Sequence, residues 1–158
     1  MGAHQQEEDL PVDDYDESGS VSKTEFVLER HLEEFIVSNF ETINFEQRLV
    51  LFDDGKGTPP NQYPTSIGRI DILAKDEGTG DFVVIELKKG RPADTVVGQT
   101  LRYIGWVKQN LCEQGQDAQG LIICSDQDAK LAYALEATMN LRARFYSVKF
   151  ELNKTPPD

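Results

Sequence analysis

The chain reads GRIDILAKDEGTGDFVVIELKKG from residue 68 to residue 90. Two short apolar runs, rich in β-branched residues, flank a turn sequence at residues 78–80, and this pattern is typical of two strands. A connection this short predicts an antiparallel hairpin. With the turn centred near Gly78 and Thr79, Asp71 is expected opposite Glu86 or one residue away, where cross-strand side chains are close neighbours.

The predicted hairpin brings charged side chains together beside an apolar core. Glu86 and Lys88 are two residues apart, so they project from the same face of their strand. Two ionised carboxylates repel each other, burial disfavours both, and one lysine offsets only part of their charge. Asp71 and Glu86 therefore suit Mg²⁺, which prefers oxygen ligands and keeps several waters. The alternative is that both carboxylates sit at strand ends and reach solvent.

Length and composition limit the classes of protein to consider. A chain of 158 residues is long enough for one domain with a substantial core. No apolar run approaches the roughly 20 residues that span a membrane, and the start of the chain does not read as a signal peptide. Cys112 and Cys124 show neither metal-binding spacing nor a disulfide framework, which predicts a cytoplasmic protein without a membrane partner.

The net charge of −12 is distributed unevenly along the chain. Residues 1–20 carry seven acidic residues and no lysine or arginine. This segment lacks apolar periodicity, which predicts a disordered acidic N-terminal tail, one domain at residues 21–153 and a frayed C-terminus at 154–158. The tail is either a solvated leader or linker end, or a segment that competes with nucleic acid for the basic surface of the domain.

A helix is predicted from Ser22 to about Asn39. Ser22 and Glu25 fit a capping box, in which the acid follows the serine by three residues. The apolar side chains that recur at helical spacing define its core face, namely Leu28, Leu32, Phe35, Ile36 and Phe40. Glu29 falls on this face, where it either points at the hairpin site or extends to water. Glu33 lies at the edge of the face and is expected to reach water.

The segments on either side of the hairpin add candidate substrate contacts. A strand is predicted over residues 43–52, and residues 53–66 are predicted to form a long loop that contacts substrate. After the hairpin, Lys88, Lys89 and Arg91 form a compact basic patch. This patch is either a charged strand exit or a phosphate contact, because cations beside an acidic metal site suit a phosphodiester.

The remaining sequence predicts alternating helices and strands. A helix capped by Asp94 or Thr95 runs to about Glu113, and its Gln99 and Tyr103 lie one turn apart on one face. Three further elements follow: a strand at 118–125, a helix at 126–140 with Leu131, Ala132, Leu135 and Met139 inward, and a strand at 143–152. The order α-β-β-β-α-β-α-β predicts an α/β fold in which helices flank a mixed central sheet.

The motifs together resemble those of a known nuclease superfamily. Asp71, the triplet Glu86-Leu87-Lys88 and the helical pair Gln99-x-x-x-Tyr103 occur in the order typical of PD-(D/E)xK nucleases. The helical pair is similar to that of the RecB-like branch. Ile70 stands where the broader superfamily has its proline. The resemblance implies a restriction-endonuclease-like core of three layers.

A closer resemblance is to the catalytic domain of NucS-like endonucleases. The similar residues are concentrated at 68–76 and 83–88, and the likeness extends over roughly residues 24–150. It implies metal-dependent hydrolysis of phosphodiester bonds in DNA, in a structure-specific, repair or defence role. Members of the family join this domain to a separate DNA-binding domain, so a second copy, another chain or flanking sequence is expected to help bind DNA.

The resemblance also implies a role for each motif residue. Asp71 and Glu86 would hold Mg²⁺ or Mn²⁺, and Lys88 would position or activate the attacking water. The helical residues implied to assist are Glu29, which tunes or completes the metal site, and Gln99 and Tyr103, which orient water and substrate. The basic residues expected to bind DNA are Arg69, Lys89, Arg91 and Arg102.

Two other classes of function fit the same sequence. One is a nucleic-acid-binding or assembly module whose catalysis is vestigial, although the intact charged cluster argues against it. The other is a different nuclease activity, such as junction resolution or RNA cleavage, because a fold alone does not settle function.

Overall fold

The computed structural model describes residues 23–90, 94–148 and 151–157, with side chains from Glu29 onward. The acidic segment 1–20, the capping serine Ser22 and the basic Arg91 lie outside the described residues. Across the described part of the chain, no helix combines the length and apolar character needed to cross a membrane.

Helices and strands alternate along the chain in a mixed α/β order. The elements are α1 (Lys23–Ser38), a 3-10 helix (Phe40–Thr42), β1 (Leu49–Leu51), β2 (Asn61–Thr65), β3 (Gly68–Asp76), β4 (Phe82–Lys88), α2 (Asp94–Asn110), β5 (Ala118–Cys124), α3 (Ala129–Glu136) and β6 (Leu141–Phe145). The structure thus confirms the mixed α/β class and adds one strand, β2, to the predicted order.

The described strands form one mixed sheet in the order β1-β3-β4-β5-β6, with β2 also paired to β3. Strands β1, β2 and β4 run antiparallel to β3, whereas β5 runs parallel to both β4 and β6. The short turn between β3 and β4 gives the predicted hairpin, whose strand pairing runs from Lys75–Phe82 to Ile72–Ile85. The parallel strands β4 and β5 are connected through α2, as parallel connections require.

Helices cover both faces of the sheet. Ile36 on α1 and Phe40 pack with Ile72 and Ile85 on one face. On the other face, α2 packs its own apolar side chains against β3 and β4, and α3 packs beside it against β5 and β6. Every side chain of β4 is buried, because β4 is an interior strand with helices on both sides. The predicted three-layer arrangement is confirmed.

The segment before the hairpin differs from the prediction. The expected strand at 43–52 is reduced to the three residues of β1, and the expected loop at 53–66 contains β2. Pro64 concealed this strand, because proline cannot donate a ladder hydrogen bond. Among the described strands β2 pairs only with β3, so it tolerates the proline.

Predicted core positions near both ends of the domain are also wrong. Phe35 is 62% exposed, because α1 turns Leu32, Glu33 and Ile36 toward the sheet instead. Met139 is fully exposed because α3 begins at Ala129, behind the capping carboxylate of Asp128, and ends at Glu136.

The last predicted strand is shorter than expected. It ends at Phe145, which pairs with Cys124, because its partner β5 ends there. Val148 and Leu152 were expected within this strand, but they lie beyond it and are exposed. The helix α2 likewise ends at Asn110, before the predicted Glu113.

Candidate active site

A cleft of about 550 Å³ opens between α1 and α2 where β3 and β4 meet. The six residues predicted to be catalytic all line it, namely Asp71, Glu86, Lys88, Glu29, Gln99 and Tyr103. The structure therefore brings together residues from two helices and two strands that the sequence separates by up to 74 positions.

The hairpin places Asp71 beside Glu86. One step beyond the Ile72–Ile85 pair, the backbone N–H of Asp71 donates to Glu86 Oε1 at 3.3 Å. The backbone N–H of Leu87 donates to Asp71 Oδ2 at 2.9 Å. The predicted opposition of the two acids is confirmed, and one oxygen of each is bound to the backbone of the other strand.

Burial and repulsion act together on this acid pair. Glu86 is only 3% exposed, and this burial raises the pKa of its carboxyl group well above the usual range. The negative charge of Asp71 and a side-chain hydrogen bond between the two acids raise that pKa further. Such a site favours either a bound proton or a bound cation.

The chemistry of the pair fits a divalent cation. Asp71 and Glu86 offer carboxylate oxygens at the end of an open cleft, and a cation between them would offset the repulsion that now favours protonation. Within the described residues, no group of three or more His, Cys, Asp or Glu side chains has the arrangement of a metal site. A hard cation held by two carboxylates completes its shell with water and substrate oxygens.

Lys88 and Glu29 form a second charged pair inside the cleft. Lys88 Nζ lies 3.8 Å from Glu29 Oε1, and both side chains are largely buried. The same Glu29 oxygen accepts a hydrogen bond from the backbone N–H of Lys89 at 2.7 Å. Glu29 thus points at the end of the hairpin, which is the first of the two alternatives that the sequence left open.

Glu33 contradicts its prediction. It was expected to reach water, but it is 9% exposed and accepts hydrogen bonds from Gln62 Nε2 at 2.7 Å and Asn61 Nδ2 at 3.3 Å. Burial is the main cause that raises the pKa of Glu33. The hydrogen bond from Gln62 lowers this pKa, and the negative charge of Asp71 raises it further. The prediction failed because both amides belong to β2, which the sequence did not reveal.

Gln62 also donates to Asp71 Oδ1 at 3.4 Å, so one amide contacts acids on two different elements. No sequence motif indicated Gln62, Asn61 or Glu33 as a group. For Gln62 and Asn61, their polar character in the predicted substrate loop was the only available signal.

The helix α2 fixes the turn between β2 and β3. Tyr103 is buried, and its hydroxyl lies so close to Gly68 that a β-carbon there would be 2.5 Å away. Gly68 has φ +138°, a conformation that favours glycine. One helical turn on, Trp106 Nε1 donates to Ser66 Oγ at 3.0 Å. Tyr103 therefore both lines the cleft and locates the start of β3.

The basic residues predicted to bind DNA are not all at the cleft. Arg69 lines it and is exposed, and Arg30, which no sequence motif indicated, lines it as well. Lys89 and Arg102 are not among the lining residues. Arg102 is exposed on α2, and Lys89 is partly exposed just beyond β4.

Residues 28–149 match the family model for the endonuclease NucS C-terminal domain. The chain belongs to this family. Two NucS relatives support the match. The chain is 30% identical over 112 residues to endonuclease NucS of Sulfolobus acidocaldarius, covering 69% of this chain and 39% of that protein. It is 34% identical over 77 residues to endonuclease NucS of Corynebacterium aurimucosum, covering 49% and 29% respectively.

Two solved structures share the fold of this NucS-type domain. A repair endonuclease from Pyrococcus abyssi aligns with a TM-score of 0.56 at 21% identity, covering 80% of this chain and 47% of that one. A complex of EndoMS with double-stranded DNA aligns with a TM-score of 0.52 at 19% identity, covering 93% and 51%. The chain thus spans about half or less of each of these relatives.

Proposed function

We propose that this chain is the catalytic domain of a divalent-metal-dependent DNA endonuclease that acts in DNA repair through PD-(D/E)xK chemistry. The observation that carries the proposal is the side-by-side placement of Asp71 and Glu86 in a cleft that also holds Lys88. This pair, with Glu86 buried and Asp71 partly buried, is unfavourable without a cation, and the cleft is open to a substrate that brings phosphate oxygens.

The similar proteins support this class of reaction. Both sequence relatives are named as endonuclease NucS, and the Pyrococcus abyssi protein is described as a repair endonuclease. The EndoMS structure is a complex with double-stranded DNA. These descriptions favour a DNA substrate for this chain over the binding-module and RNA-cleaving alternatives.

Asp71 and Glu86 are the residues that would hold Mg²⁺ or Mn²⁺. Such a cation, when bound, lowers the pKa of a coordinated water and stabilises charge on the phosphate oxygens. The peptide N–H of Leu87 fixes one oxygen of Asp71, so this carboxylate is oriented before any ligand arrives. Pre-orientation of this kind reduces the reorganisation required during reaction.

Lys88 supplies a fixed positive charge to the same cleft. Its ammonium group lies against Glu29, which limits its motion. Placed two residues from Glu86, this cation orients the attacking water and stabilises the negative charge that grows on the phosphate. Gln99 and Tyr103 approach from α2 and contribute polar groups that orient substrate or water.

DNA binding requires positive charge outside the acidic floor of the cleft. The candidate phosphate contacts are Arg69 and Arg30 at the cleft, Lys89 and Arg102 outside its lining, and Arg91, which lies outside the described residues. Because the chain spans about half or less of its relatives, a second copy, a separate DNA-binding partner or flanking sequence would add to this grip.

The test is metal-dependent cleavage of a substrate set. Supercoiled plasmid and labelled duplex, mismatched, branched and single-stranded DNA, with an RNA control, are incubated with Mg²⁺, Mn²⁺ or chelator. Wild type is compared with Asp71→Asn and Lys88→Ala, and Glu77→Gln serves as a control on the same hairpin because Glu77 is exposed and far from the cleft. Each cleft variant is expected to lose cleavage at least about a hundredfold.

Three outcomes would contradict the proposal. Undiminished cleavage by both cleft variants would remove the assigned site, and cleavage in chelator would remove the metal requirement. A wild-type protein that cuts nothing and gives no heat on titration with Mn²⁺ would favour the binding module. Cleavage of RNA or branched DNA alone would reassign the substrate within the same chemistry.

A further inference from the structure

A residue with an unfavourable backbone lies directly across from Asp71. The β2–β3 pairs Asn61–Ile72 and Tyr63–Ile70 bracket this position and place Gln62 opposite Asp71. Gln62 has φ +52°, in the left-handed region, and among the described residues only Glu46 shares this property without being glycine. A long side chain in that region is strained, and such strain is concentrated at functional sites.

The strained backbone accompanies a specific set of contacts. The Gln62 amide donates to Glu33 Oε2 at 2.7 Å and to Asp71 Oδ1 at 3.4 Å. The other oxygens of these two acids are occupied as well, by Asn61 for Glu33 and by the Leu87 N–H for Asp71. One neutral amide therefore lies between two carboxylates and adds no charge of its own.

This position matters because the acids belong to separate elements. Glu33 lies on α1 and Asp71 on β3, and the Gln62 side chain on β2 contacts both of them. An amide donor stabilises a carboxylate without competing as a fixed cation would. It thus orients both acids and leaves the compensation of their charge to a ligand.

We propose that Gln62 is a positioning residue of the active site: its left-handed backbone delivers one amide between Glu33 and Asp71, and this bridge orients Asp71 for the cation and couples Glu33 to the acid pair. The inference rests on the proposed function for its catalytic consequence. The bridge itself is a property of the fold, so it is testable without metal or DNA.

The central variant is Gln62→Gly in the full chain, because glycine removes the amide and also accepts the backbone conformation. The thermal midpoint without metal is expected to change little, because the relief of backbone strain offsets the loss of the amide's hydrogen bonds. Mn²⁺ affinity by calorimetry and kcat are both expected to fall about 10- to 100-fold, the range typical of residues that orient ligand side chains. KM for DNA is expected to stay unchanged.

Two comparison variants separate position from stability. Glu46→Gly removes the other non-glycine positive φ, at an exposed site away from the cleft, and is expected to leave Mn²⁺ affinity and kcat unchanged. Gln62→Asn tolerates the same backbone but is one methylene shorter, so it is expected to behave like Gln62→Gly in both measurements. Full activity of Gln62→Asn would overturn the bridge.

A double-mutant cycle keeps this inference distinct from the proposed function. Gln62→Gly and Glu33→Ala are combined, and thermal midpoints are measured in chelator; the bridge predicts shifts that do not add. Additive shifts overturn the inference even if the protein is a nuclease. Conversely, a protein that neither binds Mn²⁺ nor cuts DNA, yet shows the coupling, loses the proposed function but keeps the bridge.

A lower thermal midpoint for Gln62→Gly in chelator, with unchanged Mn²⁺ affinity and kcat, would overturn the inference as well. That result would assign Gln62 to the stability of β2 alone.

Discussion

Strand β3 carries two aspartates, Asp76 at the end near the turn and Asp71 toward the cleft, and their surroundings differ in kind. At the end near the turn, Asp76 Oδ1 accepts from the backbone N–H groups of Gly78 at 2.7 Å and Thr79 at 3.3 Å. Its Oδ2 accepts from Gln47 Nε2 at 3.0 Å. Gln47 in turn accepts from the half-buried guanidinium of Arg142, which also binds Gln119.

At the cleft end, Asp71 faces other acids. Glu86 lies beside it, and Glu33 is joined to it through Gln62. Its bonds are to backbone and amide donors, and repulsion from Asp71 raises the pKa of both neighbouring glutamates.

The two aspartates of β3 therefore have different roles. A buried carboxylate surrounded by donors and a nearby guanidinium stabilises the fold and has no need of a ligand. A carboxylate that is paired with another carboxylate destabilises the metal-free protein, and a bound cation removes this destabilisation. The hairpin therefore has a structural end and a ligand-binding end.

The largest expected effect is at the structural end. Asp76→Ala leaves the turn N–H groups and Gln47 without their acceptor, and it is expected to lower the free energy of unfolding by about 3 kcal/mol. Asp71→Ala is the matched truncation toward the cleft. It is expected to lower the free energy of unfolding much less, because it also removes the repulsion between Asp71 and Glu86. Urea denaturation in chelator measures the free energy of unfolding of both variants. Equal losses would show that the two aspartates do not differ in their contribution to stability.

A steric contact sharpens the comparison of the two ends. Gly68→Ala would place a β-carbon 2.5 Å from the Tyr103 hydroxyl at φ +138°, so a loss of about 2 kcal/mol is expected. Adding Tyr103→Phe removes the clashing oxygen and is expected to restore part of that stability. Gly78→Ala is the control at the turn, where the nearest atom is Asp76 Oδ1 at 3.1 Å, and a smaller loss is expected. An unchanged loss in the double variant would exclude the clash.

Replacing one acid of the Asp71–Glu86 pair should stabilise the metal-free protein. Burial and Asp71 raise the pKa of Glu86 above its unfolded value near 4.5, so the folded state binds this proton more tightly. Stability from this group is therefore full below that value and is lost as pH rises through the folded pKa. Glu86→Gln has no carboxyl group to ionise here. Its free energy of unfolding at neutral pH should therefore exceed that of the wild type by on the order of 1 kcal/mol.

The Glu86→Gln gain has two checks. It should vanish in acid, when the wild-type carboxyl group is protonated, and it should reverse with saturating Mn²⁺, because only the wild type would bind the ion. Chemical denaturation across pH, with and without Mn²⁺, measures both changes. A variant less stable than wild type at neutral pH in chelator would show that the pair is not repulsive.

The smallest effect is expected at an exposed ion pair beside the turn. Arg48 Nη2 lies 3.5 Å from Glu77 Oε2, and both side chains are well exposed. Glu77→Gln is expected to change stability by no more than about 0.5 kcal/mol and to leave cleavage intact. A larger loss would show that the turn end depends on this pair as well as on Asp76.

Short-range patterns account for what the sequence revealed. Two apolar runs and a short turn predicted the hairpin. The position of the turn sets the register of the two strands, and this register places Asp71 opposite Glu86. The alternation of α2, β5 and α3 followed from apolar periodicity. Helical spacing placed Glu29 on the core face of α1, the family resemblance implied its role, and the structure brings it to Lys88.

By itself, then, the sequence determined the α/β class, the hairpin and the central acid pair, because these depend on residues close in the chain. Tertiary structure decided what depends on contacts between distant elements. Packing of α1 beside β2 buried Glu33 against Gln62, 29 residues away, and packing of α2 brought Tyr103 to Gly68. Such contacts follow from how helices pack on a sheet, and local propensity does not encode that arrangement.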